Sequence, residues 1–405
     1  MTIKRERYLC KLRDFKGTNL IKVLTGIRRC GKSTLLKMFQ EELSRAKGIR
    51  AGQIISLNFE DMANRNLLSA DALYRHLRPR VAALKGKPCF VFLDEIQNVA
   101  EFERVVDSLF VQPGVDLYIT GSNAHFLSTD LATLLSGRYV EIHIFPLSFA
   151  EFFGSFQKSP APQDAYDAYL RHGSFPEAVN LSRQNPGLVA PYLRGLYSTV
   201  VFKDIAARQR IQNPTRLEDV ARYVFDSIGS VTNPKRIADY LTSSQRATSN
   251  HTVENYLRAL SESYVIYTAS RYDIRGKRIL QTLQKHYAVD PALRTLLSDS
   301  TPADYGRVLE NIIYLELLRR FDKVWIGKNY EKEVDFVARE TQGGIHYYQV
   351  ALTARDTAVL TRELSALQVS DQHPKTLLTL DPEEGNHNGI RRRNALKWLL
   401  DEDAK

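Results

Sequence analysis

The sequence predicts an α/β protein: a mostly parallel sheet flanked by helices, then a helical lid, a winged-helix-like segment and a second α/β unit. Three observations predict it. Strand-sized apolar runs alternate with amphipathic stretches over residues 20–146, the pattern of a parallel sheet covered by helices on both faces. A glycine-bearing turn joins the first of those runs to the first amphipathic stretch. A second strand–helix alternation occupies residues 286–380. At 405 residues the chain is too long for one ordinary core, and the pattern changes give expected boundaries of 1–146, 147–212, 213–284 and 285–405.

Residues 1–21 read as a charged leader helix ending near Gly17. A short apolar strand, 21–24, leads into the turn. Residues 33–46 have helical spacing through Leu35, Leu36, Phe39 and Leu43. Strands at 54–59, 90–93, 115–120 and 139–144 alternate with helices at 72–84 and 102–110. Residues 148–211 are helix-like, punctuated at Gly173, Pro176, Asn185-Pro186 and Pro191. Three short helices (217–228, 235–242, 249–262) then precede two strand-like runs (265–271, 278–283), which is winged-helix order. The last alternation gives a helix at 308–321, strands at 333–338 and 345–352, a helix at 362–368 and a strand at 376–380. There is no internal repeat.

The turn carries the most specific chemistry. Gly26-Ile27-Arg28-Arg29-Cys30-Gly31-Lys32-Ser33, followed by Thr34, fits G-x-x-x-x-G-K-[ST] between a strand and a helix, the context that makes this pattern a phosphate-binding P-loop. Glycines let backbone N–H groups curl around phosphates, and the helix N-terminus adds partial positive charge. Lys32 is a cation for the outer phosphates of ATP or GTP, and the Ser33 hydroxyl suits Mg²⁺. The run Phe90-Val91-Phe92-Leu93-Asp94-Glu95 is a buried strand ending in two carboxylates at the sheet edge where ligands bind. Asp94 is expected in the Mg²⁺ shell and Glu95 as the group that orients or deprotonates water. Beyond the next strand, Asn123 or Ser122 could read the γ-phosphate; the plainer reading is a turn with Asn123 capping a helix. Arg138 is the favoured finger for transition-state charge, in cis or from a neighbouring subunit, with Arg28 and Arg29 inside the loop as alternatives for subunit or phosphate contact. Each of these arginines also fits an ordinary surface position.

Bulk properties bound the rest. The formal net charge of +10 suits phosphate polymers, although a solvated basic surface explains it equally. Three scattered cysteines, Cys10, Cys30 and Cys89, make neither a disulfide framework nor a metal site. No apolar run approaches a membrane span, and no signal peptide is visible. A cytoplasmic protein without membrane contact is expected.

Taken with their order, several motifs resemble one prokaryotic family of AAA-type P-loop ATPases of the additional-strand class. They are Arg-Arg-x-Gly-Lys-Ser at 28–33, Leu-Asn-Phe-Glu-Asp at 57–61, Leu-Asp-Glu-Ile-Gln at 93–97 and Thr-Gly-Ser-Asn-Ala at 120–124. Leu-Leu-Ser-Gly-Arg at 134–138, Phe-Pro-Leu-Ser-Phe at 145–149 and Gly-Ser-Phe-Pro-Glu at 173–177 continue the series. The resemblance implies ATP hydrolysis with Mg²⁺ through Lys32, Ser33, Asp94, Glu95 and Asn123, a C-terminal domain of unknown function, and self-association, with a hexameric ring as one form.

The winged-helix-like segment offers His251, Asn255 and Arg258 on its third helix and Arg271, Arg275, Lys277 and Arg278 around its ribbon, which suits DNA contact. Acidic Glu254 and Glu262 on the same helix, and the use of such segments as packing modules, weigh against it. The last unit resembles a restriction-endonuclease-like fold, which implies a helix Glu, a strand Asp and Glu-x-Lys on the next strand around Mg²⁺. Glu310 and Asp335 fit, but the third position reads Gln349-Val350-Ala351, so a ligand and the water-activating cation are both lost and the unit reads as inactive. The expected function is ATP-driven remodelling of, or translocation on, double-stranded or branched DNA. A nucleotide switch signalling through protein contacts is the alternative, and an active nuclease is disfavoured.

Overall fold

The computed structural model describes residues 3–122, 137–207, 211–246, 248–298 and 304–401. It divides into two compact units, residues 1–146 with 262–264, and residues 147–261 with 265–405. The α/β class expected from the sequence is observed.

Among the described residues the first unit holds β1 (Ile21–Thr25), β2 (Ile54–Asn58), β3 (Cys89–Asp94), β4 (Val115–Thr120) and β5 (Tyr139–His143). They form one sheet in the order β2-β3-β4-β1-β5, and every pair is parallel. β4 therefore stands between the strand that feeds the P-loop and the strand that ends in Asp94. β3 is buried along its whole length, as a strand covered on both faces must be.

Side chains alternate across the sheet. Val91, Leu93, Leu117 and Ile119 face one core with Leu73 and Leu77 of α3 (Ala70–Ala82) and Val105, Val106 and Leu109 of α4 (Phe102–Phe110). Between those positions, Phe92 and Tyr118 stack at 4.7 Å, and Phe39 of α2 (Lys32–Arg45) packs on Tyr118 at 5.5 Å. The charged leader contains α1 (Glu6–Asp14), which buries Tyr8, Leu9 and Leu12.

In the second unit three helices, Pro214–Asp226, Pro234–Ser243 and Asn250–Glu262, precede the antiparallel ribbon β7 (Ile266–Asp273) and β8 (Arg278–Ala288), with β6 (Val231–Thr232) at its edge. The remaining strands are β9 (Lys323–Asn329), β10 (Lys332–Arg339), β11 (Ile345–Ala351), β12 (Lys375–Thr379), β13 (Gly385–His387) and β14 (Ile390–Asn394). The ribbon and the C-terminal strands make one nine-stranded mixed sheet, β13-β14-β12-β11-β10-β9-β7-β8-β6. The join is a parallel pair of β7 and β9. β9 has no counterpart among the expected strands: Gly327 interrupts its apolar run, and an interior glycine weakens a strand signal. β8 continues through the boundary expected between residues 284 and 285.

The Gly-Ser-Phe-Pro-Glu motif proves architectural. Ser174 donates from its backbone N–H (2.5 Å) and its hydroxyl (2.6 Å) to Asp290, whose other oxygen caps the helix Pro291–Leu297 through Leu293 N–H. Gly173 has φ +77°, and a Cβ there would lie 2.7 Å from both Asp290 oxygens.

Candidate functional site

The C-terminal ends of β2, β3 and β4 bring Asn58, Asp94 and Thr120 side by side. Register fixes this: Asn58 opposes Asp94, and Leu93 opposes Ile119 one residue before the row. Thr120 is the hub. Its hydroxyl donates to Asp94 Oδ1 at 2.6 Å and accepts the backbone N–H of Glu95 at 2.8 Å. Asn58 donates to the second Asp94 oxygen at 3.2 Å. Burial pushes the Asp94 carboxyl above its ordinary pKa; hydrogen bonds from Thr120 and Ser33 and the charge of Lys32 oppose that rise, and Glu95 adds to it.

Glu95 leaves the strand in the left-handed region at φ +54°, a conformation that costs a non-glycine residue on the order of 1 kcal/mol. The bond from its N–H to Thr120 holds it there. Its side chain is buried, accepts from Gln97 at 2.5 Å, and has Lys32 Nζ 3.8 Å away. Lys32, also buried, donates to the carbonyls of Gly26 at 2.9 Å and Ile27 at 3.3 Å.

The loop is shaped by contacts a side chain would block. Gly26 has φ +137°, and a Cβ there would meet the Ile144 carbonyl at 2.1 Å. Gly31, at φ +105°, opens α2. Cys30 is fully buried and burial raises its thiol pKa, which makes it a packing group rather than a nucleophile. Arg28 pairs with Glu60, while Arg29 and Thr34 are exposed.

These groups fit a nucleotide with Mg²⁺. The glycines clear room for backbone N–H groups, the buried Ser122 hydroxyl just past β4 has no hydrogen-bond partner among the described residues, and Ser33 with Asp94 is a hard oxygen pair of the kind Mg²⁺ takes alongside phosphate oxygens. Asn123 lies outside the described residues.

Arg138 is not at this edge. It precedes β5, its carbonyl accepts from Ile21 N–H at the start of β1, and its guanidinium bonds Asp107 at 2.5 Å. The length of β1 then separates it from the loop, about 16 Å for five residues. This placement sets Arg138 at the opposite end of β1 from the loop, because a parallel partner strand starts where β1 starts.

Thr120, Asn58 and Gln97 are candidate site residues that sequence reasoning missed, although each lies inside one of the motifs named above; for Thr120, a polar residue ending a buried strand is the available signal. Arg5 and Tyr8 gave none. Arg5 donates to the Cys30 carbonyl at 3.0 Å and the Pro146 carbonyl at 3.3 Å, and Tyr8 OH accepts from Phe145 N–H at 3.2 Å. The leader helix thereby pins the P-loop.

In the second unit Glu310, Asp335 and Gln349 do converge. Glu310, on the helix Tyr305–Arg320, accepts from Lys285 at 3.0 Å and Tyr287 at 2.7 Å, and Lys285 also pairs with Glu333 at 2.7 Å. Burial opposes the Lys285 charge, but Glu310, Asp335 and Glu333 together hold its pKa above the ordinary value. Asp335 is pushed well above its own by burial and by Glu310. Gln349 accepts from Asp335 N–H and donates to Glu363. Ala351 ends β11 and adds no polar group. Lys285 and Glu363 have no place in the sequence pattern of this site, since they come from other elements of the sheet and its helices. Among the described residues no three His, Cys, Asp or Glu side chains converge on a metal position.

His251, Asn255 and Arg258 lie on one exposed helix face, linked by contacts of 3.3 and 2.6 Å. Glu254 is exposed there too. Arg271 is half-buried on β7, whereas Arg275, Lys277 and Arg278 are exposed around the turn. No helix among the described residues is long and apolar enough to cross a membrane.

The chain is similar to several known proteins. A family described as an AAA domain matches residues 18–153, and a domain family of unknown function matches 163–304. An uncharacterised protein of Haemophilus influenzae is 38% identical over 402 residues, spanning 98% of each chain. An uncharacterised protein of Methanocaldococcus jannaschii is 28% identical over 340 residues, covering 79% of this chain and 72% of its own. A Walker-type ATPase of Pyrococcus abyssi shares the fold with a TM-score of 0.50 at 18% identity, covering 73% of this chain and 96% of its own.

Proposed function

This chain belongs to the AAA-type P-loop ATPase family, and from that premise we propose that it hydrolyses ATP and couples the reaction to work on DNA. One observation carries the hydrolytic part: the Thr120 hydroxyl ties Asp94 and Glu95 together at the sheet edge where Lys32 stands 3.8 Å from Glu95. A bound Mg²⁺ would neutralise phosphate charge, held by Ser33 and Asp94. Glu95, fixed by Thr120 and Gln97, orients and deprotonates the attacking water. Lys32 would exchange its loop carbonyls for phosphate oxygens. Asn123 or Ser122 senses the γ-phosphate. Arg138, remote from its own loop, serves a neighbouring copy in an oligomer, and its exposed position supports that assignment.

The DNA part rests on the exposed His251–Asn255–Arg258 face and the basic ribbon turn beside it in sequence, in a chain of net charge +10. Hydrolysis in the cytoplasm then remodels double-stranded or branched DNA, or drives movement along it. The test is ATP turnover with and without single-stranded, duplex and forked DNA, for the wild type and Lys32→Ala. We expect DNA to stimulate the wild type and Lys32→Ala to be silent with every DNA. Turnover by Lys32→Ala at the wild-type rate refutes the site, and the absence of any DNA binding at about 50 mM salt refutes the DNA role.

A further inference from the structure

The parallel pairing of β7 with β9 sets two hairpin tips next to each other that lie far apart in sequence. Arg271 opposes Ile326, Tyr272 opposes Gly327 and Asp273 opposes Lys328, and Ile274 N–H continues the ladder to the Lys328 carbonyl at 3.0 Å. Gly327 permits this approach: a Cβ there would sit 2.8 Å from Val334 and Val337 and 3.0 Å from Ile274. One tip presents Arg275, Lys277 and Arg278; the other presents Tyr330 and Lys332, with half-buried Lys328 at its base. The opposing carboxylates are Asp273 and Glu331, and Asp273 is engaged by Gly276 N–H at 3.1 Å.

The tips touch through a cation–π contact, the Arg275 guanidinium lying over the Tyr330 ring at 3.9 Å from its centroid. Tyr330 is 60% exposed. Both Tyr330 (φ +55°) and Lys277 (φ +50°) occupy the left-handed region, where glycine or asparagine would be less strained. An aromatic ring held out in water in a disfavoured backbone conformation, backed by a guanidinium and with an exposed lysine on each tip, is the chemistry of a base-stacking platform beside phosphate contacts.

We propose that this double tip binds nucleic acid at unpaired bases, with Tyr330 and Arg275 as the stacking surface and Lys277, Lys328 and Lys332 on the flanking phosphates. It rests on the DNA reading above and narrows it to strands with an unpaired end or fork. The test is fluorescence anisotropy of the full chain on a labelled fork with a single-stranded arm and on the matched blunt duplex.

Tyr330→Ala should weaken fork binding about tenfold, the loss of roughly one stacked base, and leave duplex binding unchanged. Tyr330→Phe should retain fork affinity, since stacking needs the ring and not the hydroxyl. Lys277→Ala with Lys332→Ala should lower the salt dependence on the fork. Unchanged fork affinity in Tyr330→Ala, or an equal loss on the duplex, overturns the assignment while the general DNA role stands. A wild-type protein that binds neither DNA overturns both.

Discussion

Each unit places buried carboxylates and a lysine around a sheet, and the two groupings differ in what the lysine does. In the first, Lys32 spends its hydrogen bonds on loop carbonyls and keeps 3.8 Å from Glu95. In the second, Lys285 is bonded to Glu310 and Glu333 at 3.0 and 2.7 Å, and Gln349 links Asp335 to Glu363 through its amide. The first arrangement can give its cation to a ligand at the cost of two hydrogen bonds to neutral carbonyls and one long ion pair with Glu95. The second would have to break two short ion pairs to a buried lysine, and the charges left would be unpaired. The same residue types therefore leave the cation exchangeable in one place and locked in ion pairs in the other.

The largest effect that could break this contrast is on the locked lysine. Lys285→Met should destabilise the second unit by about 3–5 kcal/mol, because removing one partner leaves Glu310 and Asp335 buried without a counter-charge. Both tryptophans of the chain, Trp325 and Trp398, lie in that unit, so their fluorescence in urea reports it directly. ATP turnover per folded molecule should be unchanged; a fall in turnover without unfolding would mean that the second cluster takes part in the chemistry.

Next is an acid-stability effect from His286. Burial pulls its pKa from an ordinary 6.5 down to about 4, and its Nδ1 meets Thr268 at 3.0 Å. The unfolded chain binds that proton first, so stability is lost as pH falls from 6.5 through 4. The contribution amounts to at most ~3 kcal/mol. His286→Gln should flatten the fall in urea midpoint across that window, and an unaltered slope would assign acid sensitivity elsewhere.

Thr120→Val sharpens the comparison from the other side. It leaves Asp94 short of one donor and frees the Glu95 backbone, a loss of about 1–3 kcal/mol. We expect reduced turnover with nucleotide binding kept, measured by phosphate release beside nucleotide affinity.

The smallest stability effect is expected at Arg138. Its pair with Asp107 is nearly half exposed on both sides and is worth under ~1 kcal/mol. Arg138→Ala should unfold like the wild type yet lose turnover, and mixing it with Glu95→Gln protein should restore part of the rate. No restoration removes the neighbouring-copy role.

Much of the first unit was legible because its signals are local. A strand, a glycine turn and a helix in sequence order define the P-loop, and a buried strand that ends in Asp94-Glu95 completes a hydrolytic pattern beside it. Thr120 and Asn58 were not assigned, since their roles follow from strand order and register, which a linear reading does not contain. Arg5 reaches the loop across 25 residues and carries no motif. The second unit was less legible for the same reason: Lys285 meets Glu310 and Glu333 only once β8 has joined the sheet, and that depends on β9, whose glycine hid it.

The central claim is that Asp94-Glu95, organised by Thr120, hydrolyses ATP held by residues 26–33. The most direct test is Glu95→Gln, followed by nucleotide affinity and phosphate release in the same preparation. The prediction is ATP affinity close to that of the wild type with phosphate release slowed roughly a hundredfold or more, on the scale of removing one organised catalytic group. Wild-type phosphate release from Glu95→Gln would contradict the account.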